Sequence, residues 1–428
     1  MSAEIAEIED APHVTSAVGD FFARSRAFSS FQHRDYRYFW TGNVAAFTAM
    51  AMQQVAQGWL IFSLTNSAFL LGLVSFMGTL PIFVFSLVGG AVADRMEKRR
   101  LIHVTQTINM VCILALAILT STDLIEVWHV FITAFLSGSA MAFNAPARQA
   151  FVVELVGRRN LMNAIALNSS GMNITRMFGP ALGGVLVSAI GVDGTFYINA
   201  ACYAIAIATL IPMQITGKPL AQNRSVWNNL VEGLRYVRQN DTILALMGLV
   251  AVPTIFGMCY QMLMPVFAGE VLNVGAGGLG VLMGVNGAGA LVGSLALAFV
   301  GDYEKRGKVL ISAAVGFSTA VILFSLSTGV LPASFVLALA VIMVVGGTNV
   351  VFMATTNTLL QTMSPDELRG RVMSVFMLTW GLMPLGTLPA GAIASSLGAP
   401  FAVGLGGLIC LVFVLLLTAR QPKLWHLS

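Results

Sequence analysis

Charge is scarce in this 428-residue chain, in which 10% of the residues are Asp, Glu, Lys or Arg and 57% are hydrophobic. A water-soluble core could not bury so much apolar surface, whereas a lipid bilayer can surround it. The composition therefore predicts a protein that lives in the bilayer. The formal net charge of +4 reflects membrane topology in this interpretation, and we expect no nucleic-acid partner.

Cysteine is also rare, and the spacing of the four cysteines excludes a CxxC site. All are isolated within apolar stretches, which predicts neither disulfides nor a metal centre. A GxxxxGK[ST] phosphate-binding loop is absent too, because the closest stretch, residues 301–308, has the wrong glycine spacing. An ATP-driven pump is therefore not expected. The cysteines are Cys112, Cys202, Cys259 and Cys410.

About twelve apolar stretches are long enough to cross a bilayer, for which about 20 mainly apolar residues are needed. The sequence thus predicts an all-α membrane protein with twelve transmembrane helices. The stretches lie near residues 40–63, 69–93, 100–121, 125–147, 163–190, 194–214, 242–268, 277–300, 308–329, 332–358, 370–397 and 399–418.

Basic residues fall in alternate gaps between these stretches, and the remaining gaps hold only acids or no charge. Short loops rich in Lys and Arg stay in the cytoplasm, so we expect a multi-pass protein of the cytoplasmic (inner) membrane with both termini cytoplasmic. Arg176, inside the fifth stretch, is the exception. The basic residues assigned to gaps include Arg34, Arg37, Arg95, Lys98, Arg99, Arg100, Arg148, Arg158, Arg159, Lys305, Arg306, Arg369, Arg371 and Arg420.

An internal repeat appears when the chain is shifted by 207 residues, where Gly179-x4-Gly184-x3-Ser188-x2-Gly191 matches Gly386-x4-Gly391-x3-Ser395-x2-Gly398. Such a repeat predicts two pseudo-symmetric six-helix bundles with a substrate site between them, near the middle of the membrane. The expected parts are a cytoplasmic N-terminal segment (1–39), an N-terminal bundle (40–214), a cytoplasmic linker with an amphipathic helix (215–241), a C-terminal bundle (242–418) and a cytoplasmic tail (419–428).

Two motifs carry a family resemblance. The stretch Gly90-Ala-Val-Ala-Asp94-Arg95-Met-Glu97-Lys98-Arg99-Arg100 resembles the major facilitator superfamily signature G-x-x-x-D-[RK]-x-G-[RK]-[RK], with Glu97 in place of a glycine. The stretch Gly179-Pro180-Ala-Leu-Gly183-Gly184 resembles the core of that superfamily's antiporter motif, G-P-x-x-G-G. Over nearly the whole chain, including HRDYRYFW, NAPARQAFV and ELRGRVMS, the sequence is similar to the enterobactin-exporter and macrolide-efflux branch.

The resemblance implies a conformational latch at the first motif, whose members are Gly90, Asp94, Arg95, Lys98, Arg99 and Arg100. Asp94 would bond to a neighbouring helix N-terminus and pair with Arg while the cavity faces outward. An ordinary turn with one solvated acid is the alternative. We predict a capping box that receives Asp94 at Ser364-Pro365-Asp366-Glu367.

The glycines of the second motif, with Pro180, are predicted to allow close approach of the fifth and eighth helices. Generic membrane-helix packing is the alternative. The motif residues are Gly179, Pro180, Gly183 and Gly184.

Polar residues inside apolar stretches are candidates for the substrate cavity, because such residues tend to face the bundle interior or water. Hydrogen bonding between helices is the alternative for each. We expect Arg176 to meet an anionic group of the substrate, with a permanent bond to helix carbonyls as the alternative. The candidates are Asn43, Gln54, Gln57, Ser137, Arg176, Thr254, Asn286 and Asn349.

These features predict a secondary active transporter that exports an amphipathic or anionic small molecule by alternating access, acts as a monomer, and is not an enzyme. No cofactor or metal is expected. No Asp or Glu lies near the middle of a predicted helix, so a proton as coupling ion is implied by the resemblance alone, as is the direction of transport. An uptake symporter, a lysophospholipid flippase, and a non-transporting membrane sensor or scaffold are the alternatives.

Overall fold

The computed structural model describes residues 26–217, 226–300, 305–329 and 334–427, and all regular secondary structure in these residues is helical. Residues 1–25 and 218–225, which belong to the predicted N-terminal segment and linker, lie outside the described residues. The helices are α1 (Arg34–Thr65), α2 (Ala68–Arg95), α3 (Lys98–Ser121), α4 (127–156), α5 (158–190), α6 (192–208), α7 (Val226–Gln239), α8 (Asp241–Val271), α9 (Gly275–Val300), α10 (Arg306–Gly329), α11 (Phe335–Met363), α12 (Asp366–Trp380 and Pro384–Leu397) and α13 (Ala399–Arg420).

All of these helices except α7 cross the molecule, which confirms the prediction of twelve transmembrane helices. Because α7 belongs to the linker, α8 to α13 are the seventh to twelfth predicted transmembrane helices. Ten described stretches are long and apolar enough to span a membrane, and one of them, Arg159–Ala208, contains both α5 and α6. Helix α1 is the twelfth, with 32 residues and a more polar sequence. Several helices begin earlier than predicted, as α1 does at Arg34, because they extend beyond their apolar stretch.

Glycines in the left-handed region divide the chain at equivalent positions of the two halves. Gly191, between α5 and α6, has φ 81°, and Gly398, between α12 and α13, has φ 89°. Side chains other than glycine rarely adopt such a φ. The two glycines are partners in the sequence repeat, so the repeat also exists in the backbone.

The chain reverses alternately at two faces of the molecule. We call the face that holds the start of α1 and the end of α13 the terminal face, and the opposite one the far face. Near the far face the two halves share one core, which includes Phe62 and Phe267. Near the terminal face the first half has its own core around Phe151, and the second half has another around Phe352. The halves are therefore joined at the far face and parted at the terminal face.

Two pseudo-symmetric glycine contacts hold the far face together. A Cβ placed on Gly184 of α5 would lie 2.4 Å from the Cα of Gly280 in α9. The second contact also joins the halves, since a Cβ on Gly391 of α12 would lie 3.4 Å from the Cα of Gly72 in α2. The pairs correspond in the repeat, which supports two bundles related by an axis along the membrane normal. Such close backbone approach is typical of small residues at membrane helix interfaces.

The start of α1 is bonded to the rest of the first half at the terminal face, which explains its polar sequence HRDYRYFW. The buried carboxylate of Asp35 accepts hydrogen bonds from the backbone N–H groups of Gln214 and Ile215, both at 2.8 Å. The Tyr36 hydroxyl donates to the Ala164 carbonyl at 2.9 Å. Helix α1 is thereby fixed to the beginning of α5 and to the segment after α6.

Helix α7, in the predicted linker, packs on the terminal end of α12. The Arg371 guanidinium and the Glu232 carboxylate are 2.6 Å apart, and a Cβ on Gly233 would lie 2.7 Å from the Arg371 carbonyl oxygen. The linker helix thus covers the terminal end of α12.

The predicted capping box at the start of α12 is wrong. Pro365 is the N-cap residue and forms no side-chain cap bond. Ser364 instead ends α11, and its hydroxyl donates to the Leu360 carbonyl at 2.6 Å. The Ser364 hydroxyl thus bonds to the preceding helix, and no side-chain cap bond forms at the start of α12.

Candidate functional site

Helix α5 has two exposed faces of different chemistry. Ile174, Phe178 and Val185 form an apolar exposed face, as expected for contact with lipid. Ser169, Asn173 and Arg176 are also exposed, and their spacing of four and three residues places them together on another face. A polar exposed face on a membrane helix indicates a water-filled space.

The same side of α5 becomes buried toward the far face of the molecule. Pro180 and Val187 continue it along α5, and both are buried. The packing of α5 against α9 begins beside Arg176, since a Cβ on Gly287 of α9 would lie 2.8 Å from the Arg176 carbonyl oxygen. The space between the halves is therefore open to the terminal face and ends beside Arg176.

Arg176 is exposed and, within the described residues, forms no hydrogen bond or ion pair. A guanidinium inside a membrane costs about 2.5 to 3.5 kcal/mol on insertion scales, so water in the open space must solvate it in this conformation. The alternative of a permanent bond to helix carbonyls is not what the described contacts show. The predicted substrate role of Arg176 stays a prediction.

An amide and phenol cluster lies across the space from Arg176 on the second half. The side-chain amides of Gln261 and Asn286 each donate to the Tyr260 hydroxyl at 3.3 Å, and Asn286 also donates to the Ile342 carbonyl at 3.2 Å. Asn286 precedes Gly287, whose added Cβ would lie 2.8 Å from the Arg176 carbonyl oxygen, so the cluster lies near Arg176. Asn286 is one of the predicted cavity residues, whereas Tyr260 and Gln261 are not.

The first helix contributes exposed and buried polar groups. Gln54 is exposed, as is Met50 one turn earlier, so this face of α1 borders the open space. Asn43 is buried, and buried Gln57 donates weakly to the Val130 carbonyl at 3.5 Å and accepts from Gln53 at 3.4 Å. Gln57 thus forms hydrogen bonds within the first half, as in the alternative of hydrogen bonding between helices.

The other candidates lie deeper in the helix packing. The Ser137 hydroxyl and the Asn349 amide nitrogen are buried without a hydrogen-bond partner among the described residues. Thr254 is buried, and its hydroxyl donates to the Val250 carbonyl of its own helix at 2.8 Å. These three side chains do not reach the open space in this conformation, so their role in binding stays a prediction.

The antiporter-like motif of α5 forms contacts with both α1 and α9. A Cβ on Gly179 would lie 2.6 Å from the Ala51 Cβ, and one on Gly183 would lie 3.1 Å from the Met52 Cα. Gly184 faces Gly280 instead, and Pro180 is buried beside it. The motif glycines thus allow α5 to pack closely on α1 inside the first half and on α9 across the two halves.

The acidic end of the signature is exposed in this structure, and its role as a latch stays a prediction. Asp94 and Arg95 are exposed, and among the described residues Asp94 has no hydrogen bond or ion pair. Gly90 has no atom within 4 Å of an added Cβ. This is what a latch at the terminal face would look like when the two halves are parted there.

Lys98 and Arg99, in the basic half of the signature, form contacts within the first half. Lys98 is fully buried, and its ammonium pairs with the Glu154 carboxylate at 2.8 Å. Its backbone N–H donates to the Gly217 carbonyl, and that of Arg99 donates to the Thr216 carbonyl, both at 3.1 Å. Arg99 also donates a side-chain hydrogen bond to the Met213 carbonyl, whereas Arg100 is exposed. The pair between α3 and α4 was not apparent in the sequence because Glu154 follows Lys98 at a long distance.

We predict that Glu154→Gln destabilises the protein by about 3 to 5 kcal/mol, because it leaves the Lys98 ammonium buried and unpaired. Glu232→Gln is the matched control, since the Arg371–Glu232 pair is 33% and 48% exposed and should contribute about 1 kcal/mol or less. Thermal unfolding in detergent measures both. Equal effects of the two changes would contradict a structural role for the Lys98–Glu154 pair.

Several basic residues assigned to gaps by the sequence lie near the ends of helices, and Arg148 lies deeper inside one. Arg148 falls in α4, well before its end near Gly157, because α4 continues past its apolar stretch. The assignment of every basic residue except Arg176 to a gap is therefore wrong for Arg148.

Solved transporter structures share this architecture. A point mutant of the nucleoside transporter NupG superimposes with a TM-score of 0.75 at 13% identity, over 90% of this chain and 100% of that chain. A POT family transporter in complex with a thioalcohol-conjugated peptide gives a TM-score of 0.72 at 13% identity, over 90% and 96% of the two chains. At such identities the likeness concerns the fold alone, and it supports the two-bundle transporter architecture.

Curated relatives match most of the chain. The staphyloferrin A transporter of Staphylococcus aureus is 26% identical over 91% of this chain and 97% of its own. The multidrug efflux pump Tap of Mycolicibacterium fortuitum is 28% identical over 80% and 85%, and macrolide efflux protein A of Streptococcus pyogenes is 26% identical over 84% and 88%. The sequence profile of the transmembrane secretion effectors matches residues 25–425. The chain therefore belongs to the transmembrane secretion effector family of the major facilitator superfamily.

Proposed function

We propose that this protein exports an amphipathic or anionic small molecule from the cytoplasm by alternating access, driven by the proton gradient. The observation that carries the proposal is the open space that reaches from the terminal face to an unpaired Arg176 and is sealed on the other side by glycine contacts. A space open to one face with a charged group at its end is what one state of an alternating-access carrier requires.

We place the terminal face in the cytoplasm. The described loops of that face carry the basic residues, whereas Asp123, Glu126, Asp193 and Glu270 lie toward the far face. Loops rich in Lys and Arg remain cytoplasmic. The open space would then take up substrate from inside the cell, which fits export.

Single cysteines test this orientation. In a Cys202→Ser background, whose other three cysteines are buried, a membrane-impermeant maleimide should label Ser121→Cys in intact cells and should not label Gln239→Cys. Both positions are exposed, one at each face. Labelling of Gln239→Cys alone would reverse the orientation and, with it, the proposed export.

Transport in vesicles tests the function itself. Purified protein in proteoliposomes of known orientation should move fluorescein, an anionic and amphipathic dye, from the terminal to the far side, and a proton gradient should accelerate the movement. Net movement in the opposite direction would indicate uptake. Failure to move any amphipathic dye, with folded protein, would favour a sensor or scaffold.

The Asp94 latch makes a separate prediction. Asp94→Asn should leave the melting temperature unchanged, because the carboxylate has no described partner here, and should lower turnover about tenfold, since a charge-assisted bond in the closed state is roughly twice as strong as a neutral one. Initial transport rates at equal expression are the measurement. A normal rate would reduce Asp94 to a solvated residue of the turn.

A further inference from the structure

Arg148 lies well inside the membrane-crossing helix α4, and the described residues give its side chain no hydrogen bond or ion pair. Its Nε is buried without a hydrogen-bond partner, and no described carboxylate pairs with it. The side chain as a whole is half-buried, so its terminal nitrogens retain accessible surface. Glu154, the acid that follows it in α4, is already paired with Lys98. A buried donor without a partner calls for an explanation by water or a ligand.

Arg148 stacks on a residue that belongs to the wall of the open space. Its guanidinium carbon lies 5.1 Å from the centre of the Phe47 ring. Phe47 shares a face of α1 with Met50 and Gln54, at spacings of three and four residues, and those two side chains are exposed. The guanidinium therefore lies at the border of the same space that ends at Arg176.

The two arginines lie at the same level of α1. Arg148 stacks on Phe47, and Arg176 lies between Gly171, which faces Val44, and Gly179, which faces Ala51. Helices α4 and α5 both pack on α1, so the two arginine backbones are separated by about one to two helix spacings, or about 10 to 20 Å. The long arginine side chains can bring the two guanidinium groups closer together than the two backbones are.

Closing the terminal face would remove water from both guanidinium groups. Within the described residues, the central parts of the membrane-crossing helices contain no Asp or Glu that could neutralise them. Each unpaired charge in a membrane costs about 2.5 to 3.5 kcal/mol or more. A neutral or cationic cargo would leave that cost uncompensated, and a single anionic group would compensate one arginine only.

We propose that Arg148 is a second anion-binding residue of the cavity and that the substrate class is an amphipathic dianion, with two acidic groups that meet Arg148 and Arg176. This inference rests on the proposed transport function. Phe47 and Met50 supply the apolar surface between the two charged groups. Arginine suits such a role because its planar fork binds carboxylates through two parallel hydrogen bonds.

Two dyes that differ in one charge test the proposal. Fluorescein is a dianion at mildly alkaline pH, and its methyl ester is a monoanion on the same ring system. Wild-type protein in detergent should bind the dianion about tenfold more tightly, as expected for one additional charge-assisted contact. Arg148→Gln should abolish this preference, and Arg148→Lys should retain part of it. Arg420→Gln, at the exposed end of α13, is the control and should keep it.

The variants also separate failure of this inference from failure of the proposed function. Melting temperatures identify variants that do not fold, and Arg148→Lys keeps the test valid if Arg148→Gln is one of them. Equal affinity of wild-type protein for the two dyes, or an unchanged preference in Arg148→Gln, overturns the dianion proposal. In that case, monoanion transport that depends on Arg176 would still support the proposed export function. Absence of any dye transport would contradict both the dianion proposal and the export function.

Discussion

Arg176→Gln is expected to weaken binding of an anionic substrate by about tenfold to a hundredfold, with little change in melting temperature. Hydrogen bonds to a charged group are worth about 1.5 to 3 kcal/mol, and each 1.4 kcal/mol is a factor of ten. Stability should be preserved because Arg176 is exposed and has no described partner. Fluorescein binding and thermal unfolding in detergent are the two measurements.

The variant Arg176→Lys refines this test. Lysine keeps the charge but loses the planar fork of five donors, so its affinity should fall between wild type and Arg176→Gln. Arg420→Gln controls for the loss of a positive charge elsewhere. A large drop in melting temperature with unchanged affinity in the folded fraction would make Arg176 a structural residue and refute its role in binding.

The second large effect is expected from Gly184→Ala, which should lower transport more than tenfold. The added Cβ would meet the Gly280 Cα at 2.4 Å and the Ala276 carbonyl oxygen at 2.8 Å. Backbone atoms cannot rotate away as a side chain can, so the far face should fail to close. We expect Ser188→Cys, an exposed position of α5 near the far face, to react faster with a maleimide in this variant.

Gly78→Ala is the matched control for this change. Its Cβ would lie 3.9 Å from the Ala134 carbonyl oxygen, which is an ordinary contact, so transport should stay near the wild-type rate. Normal transport by Gly184→Ala would show that the close approach of α5 and α9 is not needed to close the far face.

Much of the fold could be predicted because membrane-spanning segments must form all their backbone hydrogen bonds internally, as helices do, and because such helices have long apolar sequences. The glycine repeat located equivalent points of the two halves, and Gly191 and Gly398 confirm it in their backbone angles. The sequence could not show the separation of the halves at the terminal face, since both conformations of a carrier have the same sequence and the same helices.

The candidate site was predictable only in part. Arg176 and Gln54 could be found because a polar group in an apolar stretch stands out, and both are exposed. Arg148 was assigned to a loop because basic residues near the end of an apolar stretch usually lie there. Tyr260 and Gln261 were missed because their importance comes from contacts with Asn286 in another helix, which spacing within one helix cannot indicate.

A reversible cross-link across the far face tests alternating access most directly. A Cβ on Gly277 would lie 3.8 Å from the Ser188 Cβ, within the range of about 3.5 to 4.5 Å that a disulfide requires. In a background without the four native cysteines, oxidised Ser188→Cys/Gly277→Cys should still bind fluorescein from the terminal face but should not transport it, and reduction should restore transport. Undiminished transport by the fully cross-linked protein would contradict the mechanism.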